Sequence, residues 1–341
     1  MGPALHIAQV VLGIAILYWG AEWLIRGSAS VARAFGVKPL VVGLTVVAYG
    51  ASAPELAIAT KTALTHHQPI ALGTVIGSCA ANISLILGLS ALIHPPTIDS
   101  RVIRREIPVL VGSAVAVPLL LMNQTLSRLE GGLLIGCAVL FTIVTLTVSA
   151  RLDPDDDYED DGKRADEPEV EGSRSARGAE IGAELGGRGR PRAGRGTAAL
   201  ISFVGLLLLV AGSDLFVRGG RGLADTFGMS ERMLGLTVIS LGCALPELIA
   251  SLVAARRGQA GLMVGSVIGS NLLNVFLVLG ITAYLQPITF GERMHQVELI
   301  GLVAITLLGV LVLRTGRKIS RAEGALLVAA YIAFVTCSAI L

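Results

Sequence analysis

At 341 residues, the chain is 53% hydrophobic, only 15% charged and 4% aromatic, with 41 glycines and a net charge of +2. Apolar runs of about 20 residues, long enough to cross a bilayer, recur along it and mark an integral membrane protein rich in small residues that let helices approach closely. No cluster of basic and aromatic residues points to nucleic acid, and no nucleophile–base pair or catalytic metal cluster points to an enzyme.

Hydropathy predicts ten transmembrane helices. Helix 1 is expected over about 7–25, helix 2 over 40–64, helix 3 over 70–93, helix 4 over 107–122 and helix 5 over 131–149, so that residues 1–150 form a first five-helix unit. The N-terminus lacks the basic segment of a signal peptide, and helix 1 is read as retained. The stretch 151–197 opens with an acidic run from Asp153 to Asp161 and closes basic and glycine-rich, with Arg188, Arg190, Arg192 and Arg195. It holds too few apolar residues to bury a core, so a disordered linker is expected. Its acidic run lacks the ligand spacing of a calcium loop. Residues 198–341 then form a second five-helix unit: helix 6 over 198–217, helix 7 over 233–255, helix 8 over 261–285, helix 9 over 297–313 and helix 10 over 322–341. Cys79, Cys137, Cys243 and Cys337 all fall in spans without metal-ligand spacing.

The two units are copies. Gly43 to Pro95 aligns without a gap on Gly235 to Pro287, with 20 of 53 positions identical. Upstream, Gly20 to Gly27 matches Gly212 to Gly219. Five spans per copy is an odd number, so the second copy enters the membrane upside down, which is inverted-repeat symmetry. The loops after helices 1, 3, 5, 7 and 9 hold 21 of the 27 Lys and Arg residues. By the positive-inside rule that side is cytoplasmic, the 151–197 loop with it, and both termini face outward. His66 and His67 then fall in an extracellular loop.

Of the 25 carboxylates, only Glu55 and Glu247 lie mid-span, and they occupy equivalent places 192 residues apart. A carboxylate in a span is costly and marks an ion pathway by default. Two such groups brought together by the pseudo-two-fold axis cannot both stay ionised without a cation. One divalent ion, two monovalent ions or two protons neutralise the same pair, and that is a physical basis for antiport. The flanking groups are oxygen donors: Ser52, Ser78, Ser270, Asn82 and Asn274, with carbonyls freed near Pro54 and Pro246. Such a set suits a hard cation, and calcium when six to eight oxygens converge. Asn271 is read evenly as a ligand or as a helix–helix hydrogen bond. Glu22 and Asp214, near the ends of helices 1 and 6, are read as interfacial or gate-side.

Gly50-Ala51-Ser52-Ala53-Pro54-Glu55 and Gly242-Cys243-Ala244-Leu245-Pro246-Glu247 resemble the G-T/S-S-x-P-E signature of the sodium/calcium exchanger family. Gly77-Ser78 with Asn82, and Gly269-Ser270-Asn271 with Asn274, resemble its second signature, and the resemblance covers nearly the whole chain. It implies an all-α integral membrane protein with the sodium/calcium exchanger fold, ten transmembrane helices in two inverted five-helix repeats. It also implies alternating access, with Glu55 and Glu247 ligating calcium at the midplane and helices 1 and 6 sliding against the rest. Ala48 and Ser240, at matching places, are expected to contribute carbonyls. The chain departs from the pattern at Ala51, Cys243 and Ala244, where the family's sodium-site hydroxyls are missing. The expected function is exchange of calcium for sodium, with proton-coupled exchange of calcium or another divalent cation as the alternative. Neither reading calls for a cofactor. The expected setting is the bilayer of a prokaryotic inner membrane, as a functional monomer.

Overall fold

A computed structural model of the protein describes residues 3–35, 37–64, 68–96, 100–149, 195–226, 240–289, 296–315 and 318–340. These form ten helical units. α1 is Pro3–Phe35. α2 is built in pieces: Pro39–Val42, a π-helical Gly43–Val47, Ala48–Ala51, and Ala53–Leu64. α3 joins Gln68–Ala80, a π-helical Ala81–Ile86 and Leu87–Ile93. α4 is Ser100–Leu120 and α5 is Arg128–Ser149. α6 is Arg195–Thr226 and α7 is Ser240–Arg256. α8 joins Ala260–Leu273, a π-helical Asn274–Leu279 and Gly280–Leu285. α9 is Gln296–Thr315 and α10 is Arg321–Ile340.

The expected helices are present, with shifted ends. α1 and α6 run well past the apolar windows predicted for them, because Arg26 and Arg218 sit on the helices, each paired with a carboxylate one turn back, rather than ending them. The last residues of the expected linker, Arg195 to Thr197, are the first turn of α6. Most of that linker, residues 150–194, and His66 and His67 lie outside the described residues.

Burial sorts the helices into a core and a rim. The most apolar window of α8 is 94% buried, that of α3 72% and that of α2 61%, whereas those of α1 and α10 are 22% and 11% buried. The exposed leucines, valines and isoleucines of α1, α5, α6, α9 and α10 therefore face lipid. Apart from these helices, Leu126 of a two-residue strand β1 (Thr125–Leu126) pairs with Ile288 of β2 (Ile288–Thr289). The pairing has an inverted counterpart: the amide of Ile319 donates to the carbonyl of Pro96 at 3.2 Å. Likewise Ser127 and Glu130 cap α5, and Ser320 and Glu323 cap α10, by the same reciprocal bonds of 2.7 and 3.3 Å.

The rim pair α1 and α6 is joined along a glycine seam. Gly13, Gly20 and Gly27 recur every seven residues, and so do their copies Gly205, Gly212 and Gly219. Two helices related in this way run antiparallel, and seven residues return each glycine to the same face. A Cβ built on Gly20 lies 2.9 Å from the Gly205 carbonyl oxygen, and one on Gly13 lies 2.9 Å from that of Gly212. No side chain fits between these backbones, so the two helices behave as one body on the side of the core.

Candidate cation site

The first glutamate is placed by a break in α2. Ser52, with ψ near 0°, ends the Ala48–Ala51 turn. Pro54 has no N–H to continue the ladder. The helix restarts at Ala53, which puts Glu55 in its first turn, where the helix dipole favours a negative charge. Glu247 follows Pro246, which lies inside α7. The carbonyl that Pro246 cannot engage, that of Gly242 four residues back, accepts the Ser213 hydroxyl of α6 at 2.5 Å. One of the carbonyls expected to be free near Pro246 is thus held by the rim pair.

Asn82 and Asn274 sit in π-helical turns of α3 and α8. A π turn shifts the backbone ladder by one residue and recurs at functional sites. Between α3 and α8 the pseudo-two-fold axis can be located directly. Cys79 and Asn271 are 192 residues apart, the offset of the repeat, and they bond each other: the Cys79 thiol donates to the Asn271 carbonyl at 3.8 Å, and Asn271 Nδ2 donates to the Cys79 carbonyl at 3.2 Å. Only residues beside the axis can touch their own copies. Asn271 therefore makes the helix–helix bond, while its Oδ1 keeps no partner among the described residues.

The two glutamates singled out from the sequence, copies of each other, also meet beside this axis. The carboxyls of Glu55 and Glu247 neighbour each other, with the Ser78 hydroxyl beside Glu55. Glu55 is 0% and Glu247 1% exposed, and Ala48, Ser52, Ser78, Asn82, Ser270 and Asn274 are buried with them. The side chain of Ser240 lies outside the described residues, although its backbone opens α7. Both carboxylates, both Asn82 and Asn274 amides, and the Ser52 and Ser270 hydroxyls lack a hydrogen-bond partner among the described residues. Buried polar groups are almost always paired, and buried charges need a counter-charge. Buried oxygens without partners among the described residues, on the segments that carry a buried carboxyl pair, are the donor chemistry that a hard cation takes.

Two further hydroxyls on the same helices share the lack of a partner and were not singled out from the sequence. Ser251 and Ser266 are buried and without partners among the described residues. They lie one helical turn from Glu247 and Ser270, and that i±4 spacing was the available signal.

Ten helices in two inverted halves, with broken helices meeting at a buried acidic centre, define a secondary transporter that moves cations. Comparison with known proteins agrees. The family description "Sodium/calcium exchanger protein" matches the chain twice, over residues 5–147 and 197–339. The putative antiporter CaxA of Alkalimonas amylolytica is 34% identical over 328 residues, 95% of this chain and 96% of that protein. The sodium/calcium exchanger MaX1 of Methanosarcina acetivorans is 28% identical over 96% of both chains. A solved structure of the sodium-calcium exchanger NCX_Mj superposes with a TM-score of 0.78 at 27% identity, covering 98% of this chain and 99% of that one. The chain belongs to the sodium/calcium exchanger protein family. It is a transporter of the membrane and not an enzyme.

Proposed function

We propose that this antiporter exchanges calcium for sodium by alternating access, with Glu55 and Glu247 as the charged ligands at the membrane midplane. Ser52, Ser78, Ser270, Asn82 and Asn274 complete the oxygen set, with the carbonyls of Ala48 and Ser240. The observation that carries the reading is the buried glutamate pair on the pseudo-two-fold axis, together with buried oxygens of Ser52, Asn82, Ser270 and Asn274 that have no partner among the described residues. Loaded with calcium or with sodium, the pair is neutral enough to cross the low-dielectric centre; unloaded, it is costly to move. That difference in cost couples the two fluxes. The chain works as a monomer in a prokaryotic inner membrane, with the face bearing the 151–197 loop in the cytoplasm, in line with its Lys and Arg distribution.

Proton coupling is the second reading, and one observation favours it. Cys243 and Ala244 stand where the family pattern carries hydroxyls, so one sodium subsite has fewer hard ligands, while two carboxylates suffice for two protons. Calcium flux in proteoliposomes separates the two. An imposed sodium gradient at fixed pH should drive calcium uptake. Uptake that ignores sodium and follows an imposed pH gradient would replace sodium by protons as the coupling ion, and no calcium flux under either gradient would remove the exchange reading altogether.

A further inference from the structure

We infer that Glu22 and Arg257 form a latch that closes the face carrying the α7–α8 turn and biases the alternating-access equilibrium toward that closed state. The inference rests on the exchange mechanism above. It starts from a buried charge away from the central site. Glu22 on α1 is 8% exposed. Its Oε1 accepts from Arg26 Nη2 at 2.5 Å, one turn along its own helix. Arg257 reaches it from the core: Nε donates to Oε2 at 3.0 Å and Nη2 donates to Oε1. The two-pronged contact spans 235 residues and joins the rim pair to the core.

Arg257 is held firmly on the core side. It terminates α7, its amide bonding back to the Val253 carbonyl at 3.1 Å. Gly258 follows with φ of +67°, a left-handed conformation that glycine adopts without strain. The Gln259 amide then closes on the Ala254 carbonyl at 2.9 Å. This capped turn fixes where the guanidinium leaves the backbone. On the other side, Glu22 lies between Gly20 and Gly27 of the seam and moves with the α1–α6 body. A slide of that body by about one helical turn, some 5 Å, pulls the carboxylate out of hydrogen-bond reach.

The inverted repeat supplies an internal control. The copies of Glu22 and Arg26 are Asp214 and Arg218, which also pair at i,i+4, at 2.8 Å. There the resemblance stops. Position 65, which corresponds to Arg257, is threonine and carries no charge. The Asp214 and Arg218 side chains are 57% and 70% exposed, where an ion pair contributes little. In the pair between Glu22 and Arg257 the carboxylate is shielded, 10% exposed at its side chain against 36% for Arg257, and the fork geometry makes the contact stronger. Among the described residues the two faces are thus unlike, and a latch that holds one of them more tightly makes two otherwise equivalent states unequal. In the orientation proposed above, the latched face is the cytoplasmic one.

Removing Arg257 leaves Glu22 paired with Arg26, so Arg257→Gln retains a compensated carboxylate and should fold. Arg257→Gln and Glu22→Gln are each expected to shift the ratio of apparent calcium affinities at the two faces by about 5- to 30-fold, in the same direction, in proteoliposomes of known sidedness. Asp214→Asn should leave that ratio as in the wild type. A ratio unchanged in both latch variants, with calcium flux intact, overturns the latch. A second measurement does not depend on those substitutions being tolerated. With the native cysteines replaced, Glu22→Cys and Arg257→Cys are joined by a reducible bifunctional methanethiosulfonate of matching span. Exchange should stop on linking and return on reduction. Full exchange in the linked protein shows that the contact need not open, and sinks the proposal. Absence of calcium flux in the unmodified wild type points instead to failure of the exchange reading on which the latch rests.

Discussion

Glu55 and Glu247 are chemically alike, yet the residues around them are not. The first copy offers Ser52 beside its glutamate. The second offers Cys243 and Ala244, and a buried Ala244 side chain cannot ligate anything. Replacing either carboxylate by its amide removes half of the charge of the buried pair. Glu55→Gln and Glu247→Gln should therefore reduce calcium exchange to the level of empty liposomes while the protein still inserts; near-normal uptake by a well-folded variant excludes that residue from the site. The asymmetry predicts a gain as well as a loss. Sodium prefers hard oxygen ligands over a thiol, so Cys243→Thr with Ala244→Ser should lower the sodium concentration needed for half-maximal calcium efflux. Superimposable sodium titrations of wild type and double mutant at fixed pH would mean that other groups, the Ser251 and Ser266 hydroxyls among them, already complete the subsite.

Elements are specialised by what they can approach. α2, α3 and α8 carry π turns and small residues where the core is tightest, and the freed backbone groups there face protein rather than lipid. α1 and α6 are long, lipid-facing on one side and fused backbone-to-backbone on the other. A Cβ at Gly20 would stand 2.8 Å from the Leu209 amide nitrogen. Gly20→Val should push the helices apart and lower the melting temperature in detergent, with a cost of about 1–3 kcal/mol typical of overpacking. Gly136→Val on α5, where nothing lies within 4 Å, is the matched control and should leave melting unchanged. Equal melting of the two variants contradicts a seam that matters for packing.

The whole molecule is two copies of one plan with a long hydrophilic stretch between them. That stretch carries 13 of the 25 carboxylates and nine of the 27 basic residues, and its polarity bars it from the bilayer centre. Deleting residues 155–190 should leave calcium exchange within about twofold of wild type in flux assays, since surface loops tolerate length changes at small cost. Loss of exchange by a stably inserted deletion variant would assign the stretch a role that its composition does not suggest.

Much of this was written in the linear chain because inverted repeats leave a long-range record there. Twenty identities at a fixed offset, with Glu55 and Glu247 at equivalent places, pointed to a two-fold centre and to an acidic pair that the structure finds buried side by side. Eight of the described helices are long and apolar enough to span by that measure alone, since bilayer thickness sets helix length, whereas α4, with charges in its first turns, and the described part of α7 are completed to ten by the repeat. Contacts between elements were beyond reach of the same reasoning. The helix–helix bond that was one reading of Asn271 became visible when packing placed its amide nitrogen against Cys79, its own copy, on the axis, with its Oδ1 left without a partner among the described residues. Glu22 could be read from the sequence as interfacial or gate-side, but not its partner Arg257, which the capped α7 turn brings to it across 235 residues. The glycine heptads were visible as residues but acquired meaning only when α1 and α6 were found side by side. Local pattern determines which segments cross the membrane and which groups they carry. Which of those groups meet is decided by the packing of helices, and that depends on all ten at once.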